Sequence, residues 1–101
     1  MEQSTSKYIT LLKDDYIIFL NYLKARIPTF HNSNLFFRDL HYAIKTFLEI
    51  KDMKVSYAES ELLATEFSEF LESKGILVKV NELGWKLNYT EFTTVKQGDP
   101  F

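Results

Sequence analysis

The sequence predicts a mainly α domain of the α+β class, in which a three-helix bundle is closed by a C-terminal two-stranded β-hairpin. Three stretches repeat large apolar residues at spacings of three and four, which is typical of helices. Residues 76–89 instead alternate side chains with the period of a strand pair. The 101 residues include only three glycines and two prolines, which favours a few long helices over many short strands.

Length and composition indicate one domain spanning residues 1–101. A chain of this length supports a single core. Hydrophobic residues make up 46% and charged residues 26%, as in ordinary folded proteins, and nine Phe and six Tyr supply the large apolar side chains. The polar residues 1–6 and the last residues, 93–101, are predicted to be irregular tails.

The first helix is predicted at residues 7–27. Its apolar stripe consists of Leu12, Tyr16, Phe19, Leu20, Leu23 and Ile27. Asp14 and Asp15 are good helix caps, so the helix begins either near Ser6 or near Asp14. Pro28 disfavours the α conformation in the residue before it, so Ile27 should end the helix.

The second helix is predicted at residues 34–50, with Asn32 or Ser33 as its cap. Its buried stripe consists of Phe37, Leu40, Ile44, Phe47 and Leu48. Phe36 and Tyr42 fall off this stripe and are expected in an exposed apolar patch. Residues 51–54 form a charged break, and a short strand at 55–57 would suit a small sheet.

The third helix is predicted at residues 58–73, capped by Ser56 or a nearby residue. Its apolar positions are Leu62, Leu63, Phe67, Phe70 and Leu71. Gly75 fits the left-handed position that follows a helix C-terminus, where a Cβ would be penalised.

The hairpin is predicted at residues 76–90, with its loop at 81–84. Pairing Val80 with Trp85 places one apolar face over the helices, formed by Ile76, Val78, Val80, Trp85, Leu87 and Tyr89. The same register places Lys79 directly across from Lys86, and two like charges in these positions destabilise the sheet slightly.

The residue types argue against catalysis and against a bound metal or cofactor. The chain has no cysteine and only two histidines, His31 in a connector and His41 on the predicted solvent side of the second helix. Neither has a partner at the spacing of a metal site. All three glycines follow residue 74, so no glycine-rich phosphate loop is present. The sequence therefore predicts a non-enzymatic protein without cofactors.

Three motifs resemble the closing helix and wing of winged-helix domains. They are Leu62-Leu63-Ala64, then residues 67–77 with Lys74-Gly75-Ile76-Leu77, then Gly84-Trp85-Lys86-Leu87. The resemblance covers about residues 55–90 and implies a helix-turn-helix with a wing. In DNA-reading members the last helix enters the major groove. Glu59 to Ser73 contains no turn residues, which predicts one continuous helix there instead of a helix-turn-helix.

Charge favours a protein partner over a nucleic acid. The net charge is −2, and residues 59–72 contain five glutamates and no Lys or Arg. The predicted protein-docking residues are Glu61, Glu66, Glu69 and Glu72. The resulting hypothesis is a small cytoplasmic adaptor that binds another protein; the oligomeric state stays open. The polar N-terminus and the short apolar runs predict no signal peptide and no membrane contact.

Two alternatives remain at the level of the sequence. The first is a winged-helix-type DNA-binding regulator, whose positive groups would be Arg38, His41, Lys45, Lys79 and Lys86. The second is a small-ligand or enzyme-accessory domain, which the aromatic content of 16% favours.

Trp85 provides the first test. If the hairpin covers the helices, Trp85→Ala should lower the free energy of unfolding by about 3–5 kcal/mol, because a large buried ring is lost. Chemical denaturation measures this change. An unmoved midpoint would show that the hairpin does not cover the core.

Overall fold

The computed structural model describes residues 2–27, 29 and 31–90, which form four helices and a three-stranded antiparallel sheet. The elements are α1 (Glu2–Asp14), α2 (Tyr16–Arg26), β1 (Asn34–Phe36), α3 (Phe37–Ile50), α4 (Tyr57–Ser73), β2 (Leu77–Asn81) and β3 (Gly84–Leu87). The structure is thus mostly helical and of the α+β class. The predicted numbers of three helices and two strands were too low.

The predicted first helix is two helices that meet at Asp15. Asp15 has φ −106° and ψ 29° and makes no side-chain capping bond. The backbone remains connected across the break, because the Asp15 N–H donates to the Leu11 carbonyl and the Phe19 N–H donates to the Asp15 carbonyl. The tail prediction was wrong for residues 2–6, which are helical; residues 93–101 lie outside the described residues. Ile27 adopts the extended conformation expected before Pro28.

The second helix begins three residues later than predicted, because Asn34–Phe36 pairs with β3 as a strand. Leu35 lies opposite Trp85 and is fully buried. Asn32, a predicted cap, has φ 74°, and its N–H donates to the Leu87 carbonyl at 2.6 Å. The short strand expected at 55–57 does not form, since Tyr57 begins α4.

Both ends of α4 follow local rules that the sequence predicted. The Ser56 hydroxyl accepts from the Glu59 N–H at 3.0 Å, and the Glu59 carboxylate accepts from the Ser56 N–H at 3.0 Å. This capping box satisfies two otherwise unpaired donors. At the other end Gly75 has φ 77°, and the Ile76 N–H donates to the Leu71 carbonyl.

The register of the hairpin differs by one residue from the prediction. Leu77 pairs with Leu87 and Lys79 pairs with Trp85, and a bulge follows between Lys79 and Asn81. Leu77 is 2% exposed, whereas Val78 is 49% exposed, so Leu77 takes the core position that the prediction gave to Val78. Lys79 is tolerated opposite Trp85 because its Nζ lies 5.9 Å from the ring centroid and its stem can cover the indole. Val80, also predicted to face the core, is exposed.

Phe19 of α2 joins three helices at the centre of the core. Its ring makes edge-to-face contacts with Phe47 of α3 at 5.3 Å and with Phe67 of α4 at 5.2 Å. Other fully buried side chains come from every helix and from the sheet: Leu12, Leu20, Leu23, Leu35, Leu40, Ile44, Leu48, Leu63, Leu71 and Leu87. Within the described ranges, no helix is both long and apolar enough to cross a membrane.

Gly84 provides a test of the sheet. A Cβ at this position would lie 2.6 Å from the Leu35 carbonyl oxygen, so β1 would have to move. Gly84→Ala should therefore lower the free energy of unfolding by about 1–3 kcal/mol in urea denaturation.

Gly75→Ala is the matched control. A Cβ there meets nothing within 4 Å, and only the positive φ opposes it, which costs about 1 kcal/mol. A smaller loss for Gly84→Ala than for Gly75→Ala would show that β1 is not held against β3.

Candidate functional site

An open groove of about 420 Å³ lies where the start of α3, the first turns of α4 and the hairpin turn meet. Its lining consists of Phe36, Phe37, Arg38, His41, Tyr57, Glu61 and Leu83. Phe36 is 47% exposed, Tyr57 69% and Leu83 71%, so three large apolar side chains from three elements face solvent together. Exposed apolar surface of this kind is typical of binding sites.

Backbone contacts fix the shape of the groove. The Phe37 N–H, which is the first donor of α3, donates to the Leu83 carbonyl at 2.8 Å. The close approach of Gly84 to β1 holds the same turn against Phe36. The hairpin turn is therefore tied to the helix that forms the opposite wall.

A buried polar pair joins the two helices beneath the groove. His41 Nε2 lies 2.7 Å from the Ser60 hydroxyl, and that hydroxyl donates to the Tyr57 carbonyl at 2.8 Å. The tautomer of the imidazole sets the direction of the first bond: a protonated Nε2 donates to the hydroxyl, and an unprotonated Nε2 accepts from it. The imidazole also lies 4.6 Å from the Tyr57 ring. His41 is buried, so its predicted place on the solvent side of the helix was wrong.

Two opposite charges line the groove. Arg38 lies in the first turn of α3, and Glu61 lies one turn into α4. Both are exposed, and neither side chain makes an ion pair or hydrogen bond with any residue that the structure describes. The groove thus presents an unused cation and an unused anion beside an apolar surface.

The four predicted docking glutamates separate into two groups. Glu61, Glu66 and Glu69, here called the acidic face, are exposed and have no side-chain partner in the described part of the chain. Glu72 is half-buried, and its Oε2 accepts from Trp85 Nε1 at 2.6 Å. Glu72 therefore holds the hairpin on α4.

The five residues predicted for nucleic-acid binding do not form one surface. They are Arg38 in the groove, His41 in the core, Lys45 on α3, and Lys79 and Lys86 on the sheet. Lys45 is paired with Glu49 at 2.9 Å. Lys79 lies opposite Trp85 whereas Lys86 lies opposite Val78, so these two lysines point to opposite faces of the sheet.

The described residues contain further cavities but no cluster of metal ligands. No group of three or more His, Cys, Asp or Glu side chains there is arranged to hold a metal ion. A second cavity of about 360 Å³ between α4 and the hairpin is lined by Glu69, Glu72, Lys79 and Glu82 among others. One of its lining carboxylates, Glu72, accepts a hydrogen bond from Trp85 Nε1.

Comparison of the chain with protein-family models, with curated proteins and with solved structures found no significant match. The function is therefore inferred from the geometry and the charge of the residues themselves.

The sequence predictions named four of the seven groove residues but did not bring them together: Phe36, Arg38, His41 and Glu61. Leu83 was correctly placed in the hairpin loop, and a strand at 55–57 was only suggested for Tyr57, but neither residue was predicted to belong to a site. The sequence did hold a signal for both residues. Leu83 is a large apolar residue in a turn, and Tyr57 is an aromatic residue directly after the Ser56 cap. Both positions are normally in solvent, so apolar residues there indicate an exposed apolar surface. The pairing of β1 with β3 brings Phe36 next to the hairpin turn that carries Leu83.

Ser60 tests the polar pair beneath the groove. Ser60→Ala should lower the free energy of unfolding by about 1–3 kcal/mol, because the buried Nε2 atom of His41 loses its hydrogen-bond partner. Thermal or urea denaturation measures the loss. Ser73→Ala is the control, since Ser73 also donates to a carbonyl three residues earlier but is exposed; it should change stability by less than about 0.5 kcal/mol. Equal effects would mean that the His41 bond contributes nothing.

Proposed function

We propose that this protein is a non-enzymatic binding domain of winged-helix type, whose partner is another protein that presents Lys or Arg to α4. The acidic face is the observation that carries the proposal. Its three carboxylates are exposed and unpaired among the described residues, and α4 contains no Lys or Arg. Unpaired charges of one sign on one helix favour a partner of the opposite charge.

The order of the elements supports the winged-helix part of the proposal. α3 and α4 are joined by residues 51–56, and the β2–β3 hairpin follows directly. β1 adds a third strand in the order β1-β3-β2. In this arrangement the turn between the two helices lies at residues 51–56, before α4, and not within residues 59–73. α4 itself is continuous, as predicted.

DNA binding is the alternative that the helix-turn-helix arrangement favours, and the charges oppose it. In that mode α4 would enter the major groove. Protein–DNA affinity depends on Lys and Arg that neutralise phosphates and release counterions. α4 would instead bring Glu61, Glu66 and Glu69 towards the phosphates. The absence of cysteine suits a reducing compartment, and a cytoplasmic location is part of the proposal.

The experiment is affinity capture from native cell extract, repeated after nuclease treatment. Glu66→Lys combined with Glu69→Lys should slow capture of the partner protein, because charges at an interface rim act mainly on the association rate. The effect should shrink at high salt, since the Debye length falls from about 8 Å at 0.15 M to about 3 Å at 1 M. The fold should persist because both side chains are exposed.

Thr10→Lys combined with Asp14→Lys and Asn21→Lys is the matched control, because it raises the net charge by the same four units on exposed positions of α1 and α2. It should leave capture unchanged. The α4 double variant should also raise any weak affinity for duplex DNA. Tight DNA binding by the wild type that the double variant weakens would contradict the proposal.

A further inference from the structure

We propose that the groove is the anchor site for a short segment of the partner protein. The segment inserts one large apolar side chain between Phe36, Tyr57 and Leu83, places a Lys or Arg against Glu61, and places a carboxylate against Arg38. This inference rests on the proposed function and adds the chemistry of the partner.

The apolar surface supplies the anchor. Phe36, Tyr57 and Leu83 belong to β1, α4 and the hairpin turn, and each exposes roughly half or more of its surface. Interfaces derive most of their affinity from a few large side chains that become fully buried. The groove volume of about 420 Å³ is within the usual range for ligand sites of about 300–1,000 Å³. Its exposed walls suit a segment that lies across it.

Charge complementarity identifies the neighbours of the anchor. Arg38 and Glu61 line the same groove but are not within 4.0 Å of each other, and both lack partners among the described residues. A carboxylate at Arg38 lies near the start of α3, where the helix dipole stabilises negative charge.

The groove is already formed in the free protein. The Phe37–Leu83 hydrogen bond holds the turn, and the His41–Ser60 pair together with the Ser60–Tyr57 bond holds the start of α4. A preformed site avoids the cost of ordering the protein on binding, which is a large part of what association must overcome.

The test uses short synthetic peptides and the labelled full chain. Peptides of the first set carry Leu, Met or Phe at the anchor position, flanked by Lys on one side and Glu on the other, in either order. Peptides of the second set have Ser at the anchor position. Peptides of the third set keep the apolar anchor but have Glu in place of Lys. The first set should be retained and the other two should bind at least about tenfold more weakly. Amide chemical shifts of Phe37, Arg38, Tyr57 and Leu83 should move when a first-set peptide is added to the wild-type chain.

Two variants and one control locate the contact. Leu83→Asp and Glu61→Lys should each weaken binding of the first set about tenfold, and Glu61→Lys should regain binding to the third set. Ile50→Asp alters an equally exposed aliphatic residue at the end of α3, outside the groove, and should change nothing. Unchanged denaturation midpoints would show that the variants fold.

The outcomes separate the two proposals. If Ser-anchor peptides bind as well as the first set, or if Leu83→Asp and Ile50→Asp have equal effects, the groove is not the anchor site, while the protein-binding function of the acidic face stands. If no peptide set binds, the groove inference fails. If, in addition, duplex DNA binds tightly, the proposed function fails with it.

Discussion

The close approach of Gly84 to β1 is the constraint on which the shape of the groove depends. A two-stranded hairpin alone is marginal in water, and β1 provides the third strand. Since Gly84 has no Cβ, its backbone can lie against Leu35 and Phe36. The hairpin turn then reaches the start of α3, where the Leu83 carbonyl accepts from Phe37. The groove exists because a residue without a side chain allows two strands to meet at this point.

Local interactions were predictable from the sequence, and contacts between distant residues were not. The Ser56 cap, the left-handed Gly75 and the extended Ile27 depend on neighbours within a few positions, so residue type alone indicates them. His41 is buried and hydrogen-bonded to Ser60, which lies 19 residues away. The hairpin contains a bulge and places Lys79 opposite Trp85, with Nζ 5.9 Å from the ring centroid, and an alternating apolar pattern predicts neither feature. The acidic face was predictable as charge, whereas the groove needed the tertiary fold.

The five glutamates of α4 illustrate the same difference. Glu59 closes the capping box, and Glu72 accepts from the Trp85 indole. The remaining three, the acidic face, have no such partner in the part of the chain that is described. A residue count does not distinguish these five glutamates, although two of them stabilise the fold and three do not. The proposed partner would therefore meet three carboxylates and not five.

The cations of this domain are largely engaged by its own fold, and this bears on the kind of partner it can bind. Lys45 pairs with Glu49 at 2.9 Å, Lys74 lies 5.0 Å from the Tyr16 ring, and Lys79 lies over Trp85. Each such cation–π contact contributes about 0.5–1 kcal/mol at an exposed site. Phosphate binding would have to compete with these contacts while α4 repels the same phosphates. A protein segment faces neither obstacle, because its own Lys or Arg complements the acidic face and its apolar side chain uses surface that the fold leaves exposed. The proposed winged-helix arrangement is therefore compatible with both kinds of partner, and the charges of α4 favour a protein.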